Sequence, residues 1–397
     1  MVKLGKVTVI YTGTGFPKEL QGCKEGKYPF YKVGDISKNV LAGYKKLMLC
    51  DNYIEEDDVK KIKGKILPKD TVVFAKIGEA VKLNRRAITT KECLVDNNVM
   101  GIAPVKSFMD INYLYYYMSF VKLENLAEAT TVPSVKKGMI EDLEIDLPTL
   151  DTQRIISNII SEVDDLILLI NKQLDDLNVI VKSRFIEMFG DPVLNNKGWP
   201  VKKLKQLTSK ISSGNTPKGG REVYVSEGIT FFRSQNVWRN YFDMSDIAYI
   251  DEATHKKMAD TSLKHGDLLI TKTGRFNTEN SSLGRTALFL GENDSANING
   301  HVYLVRLKAG INHQFVLHIL ISNQFRDLIR KVCVGGIDKR QLNKNHIEDF
   351  PIIIPPLEQQ EEYADFVQQV DKSKLAIQQS LDELETLKKS LMQQYFG

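Results

Sequence analysis

Two stretches of the chain, residues 151–190 and 357–397, carry apolar residues at alternating spacings of four and three. This period places the apolar side chains on one stripe of an α-helix, and such a stripe is typical of a coiled-coil seam. An acidic residue comes shortly after a proline at the start of each stretch, Asp151 after Pro148 and Glu358 after Pro355-Pro356, so we expect Asp151 and Glu358 to be the helix N-caps. The predicted seam residues are Ile156, Ile160, Val163, Ile167, Ile170, Leu174, Leu177 and Val181 in the first helix, and Tyr363, Val367, Val370, Ile377, Leu381, Leu384, Leu391 and Tyr395 in the second.

Two lysines, Lys374 and Lys388, fall on the seam of the second helix. Lysines there disfavour pairing of this helix with a copy of itself, whereas polar seam residues can fix the register between two different helices. We therefore predict that the two helices pair with each other as an antiparallel coiled coil. The alternative is that each helix packs separately on its own domain.

The regions outside these helices have a different pattern. Residues 1–150 and 191–356 contain short β-type runs separated by Gly, Asn and Pro, and each region also contains a helical stretch. The chain is therefore predicted to be α+β. The runs predicted as strands include residues 71–76, 228–233, 268–273 and 301–307, and the helical stretches cover residues 111–126 and 314–332.

The sequence repeats internally. IEDLEIDLPTLDTQ at residues 140–153 returns as IEDFPIIIPPLEQQ at residues 347–360, and the same offset of 207 residues continues without a gap to the Phe-Gly pairs at 189–190 and 396–397. Upstream the likeness is looser but keeps its order, with Lys18 matching Lys218, Lys32 matching Arg233, and Arg85 matching Arg285. One unit is thus used twice. Four segments are predicted: a globular domain at 1–150, a central spacer helix at 151–190, a second globular domain at 191–356 and a C-terminal spacer helix at 357–397.

The net charge of +4 is divided unevenly along the chain. The globular regions 1–150 and 191–356 carry +4 and +7, whereas the helical stretches 151–190 and 357–397 carry −3 and −4. This alternation favours two surfaces for a polyanion, joined by spacers that avoid it. A tandem repeat closed by an antiparallel helix pair has approximate twofold symmetry, as duplex DNA does locally. The expected ligand is therefore a split DNA sequence with an ignored gap.

These residues carry a family resemblance. The duplicated layout, the Pro-Leu-x-x-Gln entry to each helix, the GDLLITKTG segment at 266–274 and the terminal Phe-Gly resemble a specificity subunit of a type I restriction–modification system. The resemblance covers the whole chain. The first copy departs from it modestly, with Thr149 in place of the second proline and no clean GDLL segment.

The resemblance implies two target-recognition domains in tandem that read double-stranded DNA, one half-site each. It also implies a non-catalytic subunit that recruits two methyltransferase (modification) subunits and often two restriction subunits, which bring the chemistry. Two other functions stay open. One is a coiled-coil scaffold whose domains bind protein, and the other is the recognition module of a fused nuclease–methyltransferase.

The sequence contains none of the familiar catalytic motifs. It has no Asn/Asp-Pro-Pro-aromatic motif for a flipped adenine, no glycine-rich cofactor loop and no GxxxxGK[ST] phosphate loop. The six histidines lack metal-ligand spacing, and the four cysteines are far apart. We therefore expect no enzyme activity, no cofactor and no metal. With neither a membrane span nor a signal peptide in the sequence, the expected location is the cytoplasm.

The candidate DNA contacts are basic and amide side chains in the loop-like stretches. Arg, Asn and Gln can form paired hydrogen bonds with base edges, whereas Lys mostly neutralises phosphate. For any single one of them, a solvated surface charge is the competing interpretation. The candidates are Lys18, Lys32, Lys76, Arg85 and Arg86 in the first domain, and Lys218, Arg221, Arg233, Gln235, Asn236, Arg239, Lys272, Arg275 and Asn277 in the second.

Overall fold

Short runs of β-branched and aromatic residues form small sheets in both halves of the chain. The structure, a computed structural model, describes residues 1–127, 133–275, 278, 280–336 and 338–397. It divides into two compact units. Unit 1 comprises Met1–Leu174 and Ala376–Gly397, and unit 2 comprises Asp175–Leu375. Both units combine strands and helices, which confirms the predicted α+β class.

Unit 1 contains the strands β1 (Val2–Lys3), β2 (Thr8–Thr12), β3 (Tyr28–Tyr31), β4 (Tyr53–Ile54), β5 (Val72–Ala75), β6 (Arg86–Ile88), β7 (Leu94–Val95), β8 (Val99–Pro104) and β9 (Glu144–Ile145). Its helices are α1 (Val33–Leu41), α2 (Glu56–Lys61), α3 (Ile111–Phe120), α4 (Leu123–Leu126), α5 (Lys137–Glu141) and the first part of α6 (Leu150–Phe189).

Unit 2 contains the strands β10 (Val201–Lys203), β11 (Thr208–Ser213), β12 (Tyr224–Val225), β13 (Ile229–Phe232), β14 (Ala248–Ile250), β15 (Leu268–Thr271), β16 (Thr273–Gly274), β17 (Thr286–Leu288), β18 (Ala296–Ile298), β19 (Val302–Leu307), β20 (Val334–Gly335), β21 (Arg340–Gln341) and β22 (Pro351–Ile353). Its helices are α7 (Leu204–Leu207), α8 (Glu252–Lys257), α9 (His313–Ile321), α10 (Asn323–Val332), α11 (Lys344–Glu348) and the first part of α12 (Leu357–Phe396). The predicted strands and helical stretches are thus confirmed, each helical stretch being split into two helices.

The two units share one sheet topology. The four-stranded sheet of unit 1 has the order β2-β8-β5-β6, and that of unit 2 has the matching order β11-β19-β15-β17. The registers also correspond, because Val73 pairs with Ala87 in unit 1 and Leu269 pairs with Ala287 in unit 2. A smaller sheet in each unit contains a parallel pair, β3 with β7 and β13 with β18. The internal repeat of the sequence is therefore a repeat of fold.

The long helices α6 and α12 pair with each other. Unit 1 holds the start of α6 and the end of α12, and there Lys388 forms an ion pair of 2.5 Å with Asp164. Unit 2 holds the end of α6 and the start of α12, and there Arg184 forms an ion pair of 2.8 Å with Glu362. The pairing is antiparallel, as predicted. Every predicted seam residue is buried or half-buried, and the seam lysines Lys374 and Lys388 are half-buried with them.

With Asp151 and Glu358 as N-caps, the helices would begin at Thr152 and Gln359, but they begin two residues earlier, at Leu150 and at Leu357. The prediction of Asp151 and Glu358 as N-caps is therefore wrong, since both lie in the first turn. Their negative charges are still favoured there, near the positive end of the helix dipole. At the start of α6 the hydroxyl of Thr149 accepts a hydrogen bond of 3.3 Å from the Thr152 N–H.

The glutamine of the repeated Pro-Leu-x-x-Gln motif joins each long helix to its unit. Gln153 is fully buried, accepts a 2.9 Å hydrogen bond from the N–H of Asp110, and donates to the carbonyls of Phe108 and Pro148. Gln360 likewise accepts from the N–H of Asn312 at 3.2 Å and donates to the Pro355 carbonyl at 2.8 Å. Asp110 and Asn312 are the N-caps of α3 and α9, so the motif joins equivalent helices in both units.

The phenylalanines of the repeated Phe-Gly pair pack on the cores of the two units, Phe189 fully buried and Phe396 partly buried. In unit 1 the ring of Phe396 packs against Tyr113, with 5.1 Å between ring centroids. In unit 2 the ring of Phe189 packs against Phe315 at 4.8 Å and against Tyr363 at 5.6 Å. The C-terminal end of α12 therefore packs an aromatic ring on unit 1, and the C-terminal end of α6 packs one on unit 2. Of the helices in the described part of the chain, none is both long and apolar enough to cross a membrane.

Candidate nucleic-acid interface

In both units basic residues follow the ends of corresponding strands. Lys32 and Lys76 come directly after β3 and β5 of unit 1. Arg233 and Lys272 come directly after β13 and β15 of unit 2. Lys18 and Lys218 lie in the segments that follow β2 and β11, and both are exposed. The fold thus presents basic side chains at the same positions twice.

A glycine at the start of each segment after β2 and β11 lets the backbone pass close to a neighbouring strand segment. A Cβ on Gly13 would lie 1.7 Å from the carbonyl oxygen of Asp96, and a Cβ on Gly214 would lie 2.2 Å from that of Asn299. Both distances are far inside van der Waals contact, so only glycine allows this close approach of two backbones. The chain then leaves the sheet towards Lys18 in unit 1 and towards Lys218 in unit 2.

In unit 1, Lys32 and Lys76 place their positive charges in the neighbourhood of Asp96. Burial raises the pKa of Asp96, and the positive charges of the two lysines act in the opposite direction. Lys32 also donates a 2.6 Å hydrogen bond to the amide oxygen of Gln21. Both lysines are half-buried and stay at the surface of the unit.

The neighbouring Arg85 and Arg86 have different environments. Arg85 is half-buried, whereas Arg86 is only 3% exposed. The Arg86 guanidinium donates to the carbonyls of Asn84 and Val121, the latter at 2.7 Å. Burial lowers the pKa of Arg86 to about 9. Arg86 therefore holds two segments of unit 1 together, and its donors do not face solvent.

In unit 2, Arg233 and Asn236 are also used internally. Arg233 is 9% exposed, donates to the Asp246 carbonyl and lies 3.2 Å from the Asp246 carboxylate. Asn236 accepts from the Arg233 N–H at 3.0 Å and donates to the carbonyls of Asp243 and Asp246. Gln235 is exposed, and its amide donates to the Asp246 carboxylate at 2.5 Å. These contacts fix the turn after β13.

The remaining candidates of unit 2 lie at or near the surface. Lys218, Arg221 and Arg275 are exposed, and Arg239 and Lys272 are half-buried. The Lys272 ammonium lies 5.5 Å from the centroid of the Tyr303 ring. Asn277 lies outside the residues that the structure describes.

Sequence reasoning missed a group of residues around the loop 275–285. Arg285 places its guanidinium 3.5 Å from the centroid of the Trp238 ring and donates to the carbonyls of Asn280 and Ser281. Arg326 of α10 donates to the carbonyl of Thr278 at 3.3 Å. The arginines at i and i+4 on the polar face of α10, Arg326 and Arg330, were the available signal. They lie in a helix, whereas the candidates named from the sequence lie in loop-like stretches.

Within residues 1–127, 133–275, 278, 280–336 and 338–397, no three His, Cys, Asp or Glu side chains are grouped to hold a metal ion. The four cysteines, Cys23, Cys50, Cys93 and Cys333, are free thiols.

The sequence matches the family model described as "Type I restriction modification DNA specificity domain" over residues 1–179 and again over 196–386. Among curated proteins, the specificity subunit of the type I restriction enzyme MjaVIII from Methanocaldococcus jannaschii is 23% identical over 383 residues, covering 93% of this chain and 85% of that protein. The StySPI specificity subunit from Salmonella potsdam is 20% identical over 421 residues, covering 98% and 86%.

Two solved structures have a similar fold. The type I restriction–modification S subunit from M. genitalium matches with a TM-score of 0.55 at 14% identity, covering all of this chain and 95% of that one. A chain from a study of "complex assembly" and "conformational transition of the type I R-M system" matches with a TM-score of 0.61 at 17% identity, covering 100% and 96%.

Proposed function

The chain belongs to the family of type I restriction–modification specificity subunits, and from that premise we propose that it recognises a bipartite DNA target. Unit 1 reads one half-site, unit 2 reads the other, and the base pairs between them are ignored. The observation that carries this proposal is the duplication of the candidate interface. The same sheet order, the same glycine crossing and the same basic positions occur in both units.

The proposed contacts are the candidates whose side chains lie at or near the surface. Arg275, Arg85 and Gln235 can read base edges, because their planar donors and acceptors match those edges. The lysines position the units by neutralising phosphates. We leave out Arg86, Arg233 and Asn236, since their polar groups are bonded inside the units. The proposed set is Lys18, Lys32, Lys76 and Arg85 in unit 1, and Lys218, Arg221, Gln235, Arg239, Lys272 and Arg275 in unit 2. Asn277 lies outside the described residues and stays a candidate from the sequence alone.

The chain acts as a non-catalytic recruiter in this proposal. Helix α6 leaves large apolar side chains in solvent on the part that belongs to unit 1, among them Ile155 at 60%, Leu166 at 46% and Leu169 at 52% exposed. Exposed apolar patches of this kind mark protein interfaces. The two modification subunits that the family's complexes contain are the proposed occupants, with restriction subunits joining through them. The partners supply methyl transfer and cleavage.

Methylome sequencing tests this proposal directly. A host that lacks other methyltransferases would express the chain with its modification subunit, and modified adenines would be mapped across the genome. The expected result is a motif with two specified halves and a constant unspecified gap. A host that expresses the modification subunit alone is the control and should show no motif. A continuous motif, or methylation that does not depend on this chain, would contradict the proposal.

A further inference from the structure

Four arginines from three elements of unit 2 lie near one another. They are Arg239, Arg285, Arg326 and Arg330. Arg239 lines a cavity with Asn323 and Gln324 at the start of α10, and Arg285 lies against the ring of the adjacent Trp238. Burial lowers the pKa of Arg239, and the positive charges of Arg326, Arg285 and Arg330 lower it further. Like charges held together repel, and a bound anion relieves the repulsion. Among the described residues, neither Arg239 nor Arg285 forms an ion pair with a carboxylate.

The tip of a short hairpin fixes Arg239 in this position. The Trp238 N–H donates to the Tyr241 carbonyl at 3.0 Å, and the Asn240 N–H donates to the Thr286 carbonyl at 2.9 Å. Asn240 adopts a left-handed conformation with φ of 67°, which closes the turn. The guanidinium of Arg285 lies against the Trp238 ring and is itself hydrogen-bonded to the loop 275–285. The hairpin tip is therefore held in place before any ligand binds.

Helix α10 supplies the other two charges from a rigid support. Phe325 and Ile329 are buried in the core of unit 2, and Arg326 and Arg330 follow them by one residue each on the half-buried side. Arg330 forms an ion pair of 3.3 Å with Asp327, and Arg326 donates to the Thr278 carbonyl. Because Thr278 belongs to the loop that also carries Arg275, the arginines border the proposed base-reading surface.

We propose that Arg239, Arg326 and Arg330 form a clamp for the phosphodiester backbone of duplex DNA, next to the half-site that unit 2 reads. This inference rests on the proposed DNA-binding function. Within that function it separates residues that bind the DNA backbone from residues that read bases. The clamp contributes affinity and orientation without base selectivity. Guanidinium groups suit this role because they bind phosphate oxygens in pairs. Arg285 acts as a positioning residue, since its donors are bonded to the protein.

The test is the salt dependence of DNA binding by the assembly of this chain with its modification subunits. Each phosphate contact adds about 0.9 to the slope of log affinity against log salt. The R326Q/R330Q double variant should therefore flatten the slope by about 2. It should weaken target and random duplexes by the same factor, and leave the preference among single-base variants of the half-site unchanged. Lys331→Gln is the matched control, because Lys331 is an exposed cation on the same helix outside the proposed clamp. It should change neither slope nor preference.

Conservative variants separate a clamp from a base reader. R326K/R330K keeps the charge, so the slope should return towards the wild-type value, whereas a base-reading pair would lose selectivity. An unchanged slope in R326Q/R330Q, or a loss confined to particular bases, would overturn the clamp while leaving DNA recognition intact. If the wild-type assembly showed no sequence preference at all, that result would instead contradict the proposed function itself. Urea unfolding followed by circular dichroism should give the wild-type transition and so report that the variants are folded.

Discussion

At the residue scale, the environment decides what an arginine does. Arg233 and Arg275 each follow strands of unit 2, and composition alone does not distinguish them. The structure buries Arg233 against Asp246 and leaves Arg275 exposed in the loop after β16. The two residues should therefore respond differently to the same substitution.

We predict that Arg275→Ala relaxes recognition at one base pair of the half-site read by unit 2. An arginine that forms two hydrogen bonds with a guanine edge contributes about 1–3 kcal/mol of discrimination against the other bases. Selectivity at that base pair should therefore fall roughly tenfold to a hundredfold. Competition binding with single-base variants of both half-sites measures the effect. Arg233→Ala is the matched comparison and should lower the unfolding free energy of unit 2, because Asp246 loses its buried partner. Unchanged selectivity in Arg275→Ala would remove Arg275 from the contact set.

A second residue, His318, should make stability depend on pH. It lies in unit 2, where its Nδ1 is 2.5 Å from the Tyr363 hydroxyl, and burial lowers its pKa to about 4. The ordinary pKa of histidine is about 6.5. Below that pH, His318 is protonated in the unfolded chain but stays neutral in the folded chain. The corresponding stability is present above about pH 6.5 and is lost as the pH falls towards 4. Between pH 7 and pH 5 the loss should be about 2 kcal/mol.

Urea unfolding of wild type and His318→Gln at pH 7 and pH 5 checks this. The variant cannot titrate there, so its stability should fall less between the two pH values than that of the wild type. His301→Gln serves as control, because His301 is exposed, and it should keep the wild-type difference. If wild type and His318→Gln lose the same stability, His318 is not the group responsible.

At the element scale, the sequence predicts the helices, their antiparallel pairing and several strands, but not the order of the strands in the sheets. The period of apolar residues locates α6 and α12, and short β-type runs locate β5, β13, β15 and β19, because these signals are local. The order of the sheets depends on pairing between distant strands, which no local pattern contains. The division between exposed and buried candidates was missed for the same reason. The Arg86 guanidinium donates to the Val121 carbonyl and the Arg233 guanidinium to the Asp246 carbonyl, and in both cases the fold brings the two residues together.

The repeated glutamine motif provides the prediction at this scale. Gln153→Ala should lower the unfolding free energy by about 2–3 kcal/mol, because it leaves the Asp110 N–H and two carbonyls without a buried partner. Gln360→Ala should have a similar effect through Asn312 and Pro355. Chemical denaturation followed by circular dichroism gives both values. Gln173→Ala is the control, since Gln173 is exposed on α6, and it should be nearly neutral. Equal effects in all three variants would mean that the motif is not a structural joint.

At the scale of the whole molecule, the two long helices are the elements that both units share. Helix α6 passes from unit 1 to unit 2 between Leu174 and Asp175, and α12 passes from unit 2 to unit 1 between Leu375 and Ala376. The candidate DNA contacts lie outside both helices. The proposed recognition therefore assigns the identity of the bases to the units and the length of the gap to the helices.

This division predicts the result of lengthening the helices. We would insert four helix-forming residues after Gln173 in α6 and four after Leu375 in α12, so that both partners grow by about one turn, or roughly 6 Å. An insertion of four is one that coiled coils absorb by local unwinding. The ignored gap should grow by about one or two base pairs at 3.4 Å each, while both half-sites keep their bases. Methylome sequencing of the variant reads gap and half-sites together. The same four residues placed after Glu227, in an exposed segment of unit 2, should leave the gap unchanged. New half-site bases, or an unchanged gap in a folded and active variant, would contradict the assignment of spacing to α6 and α12.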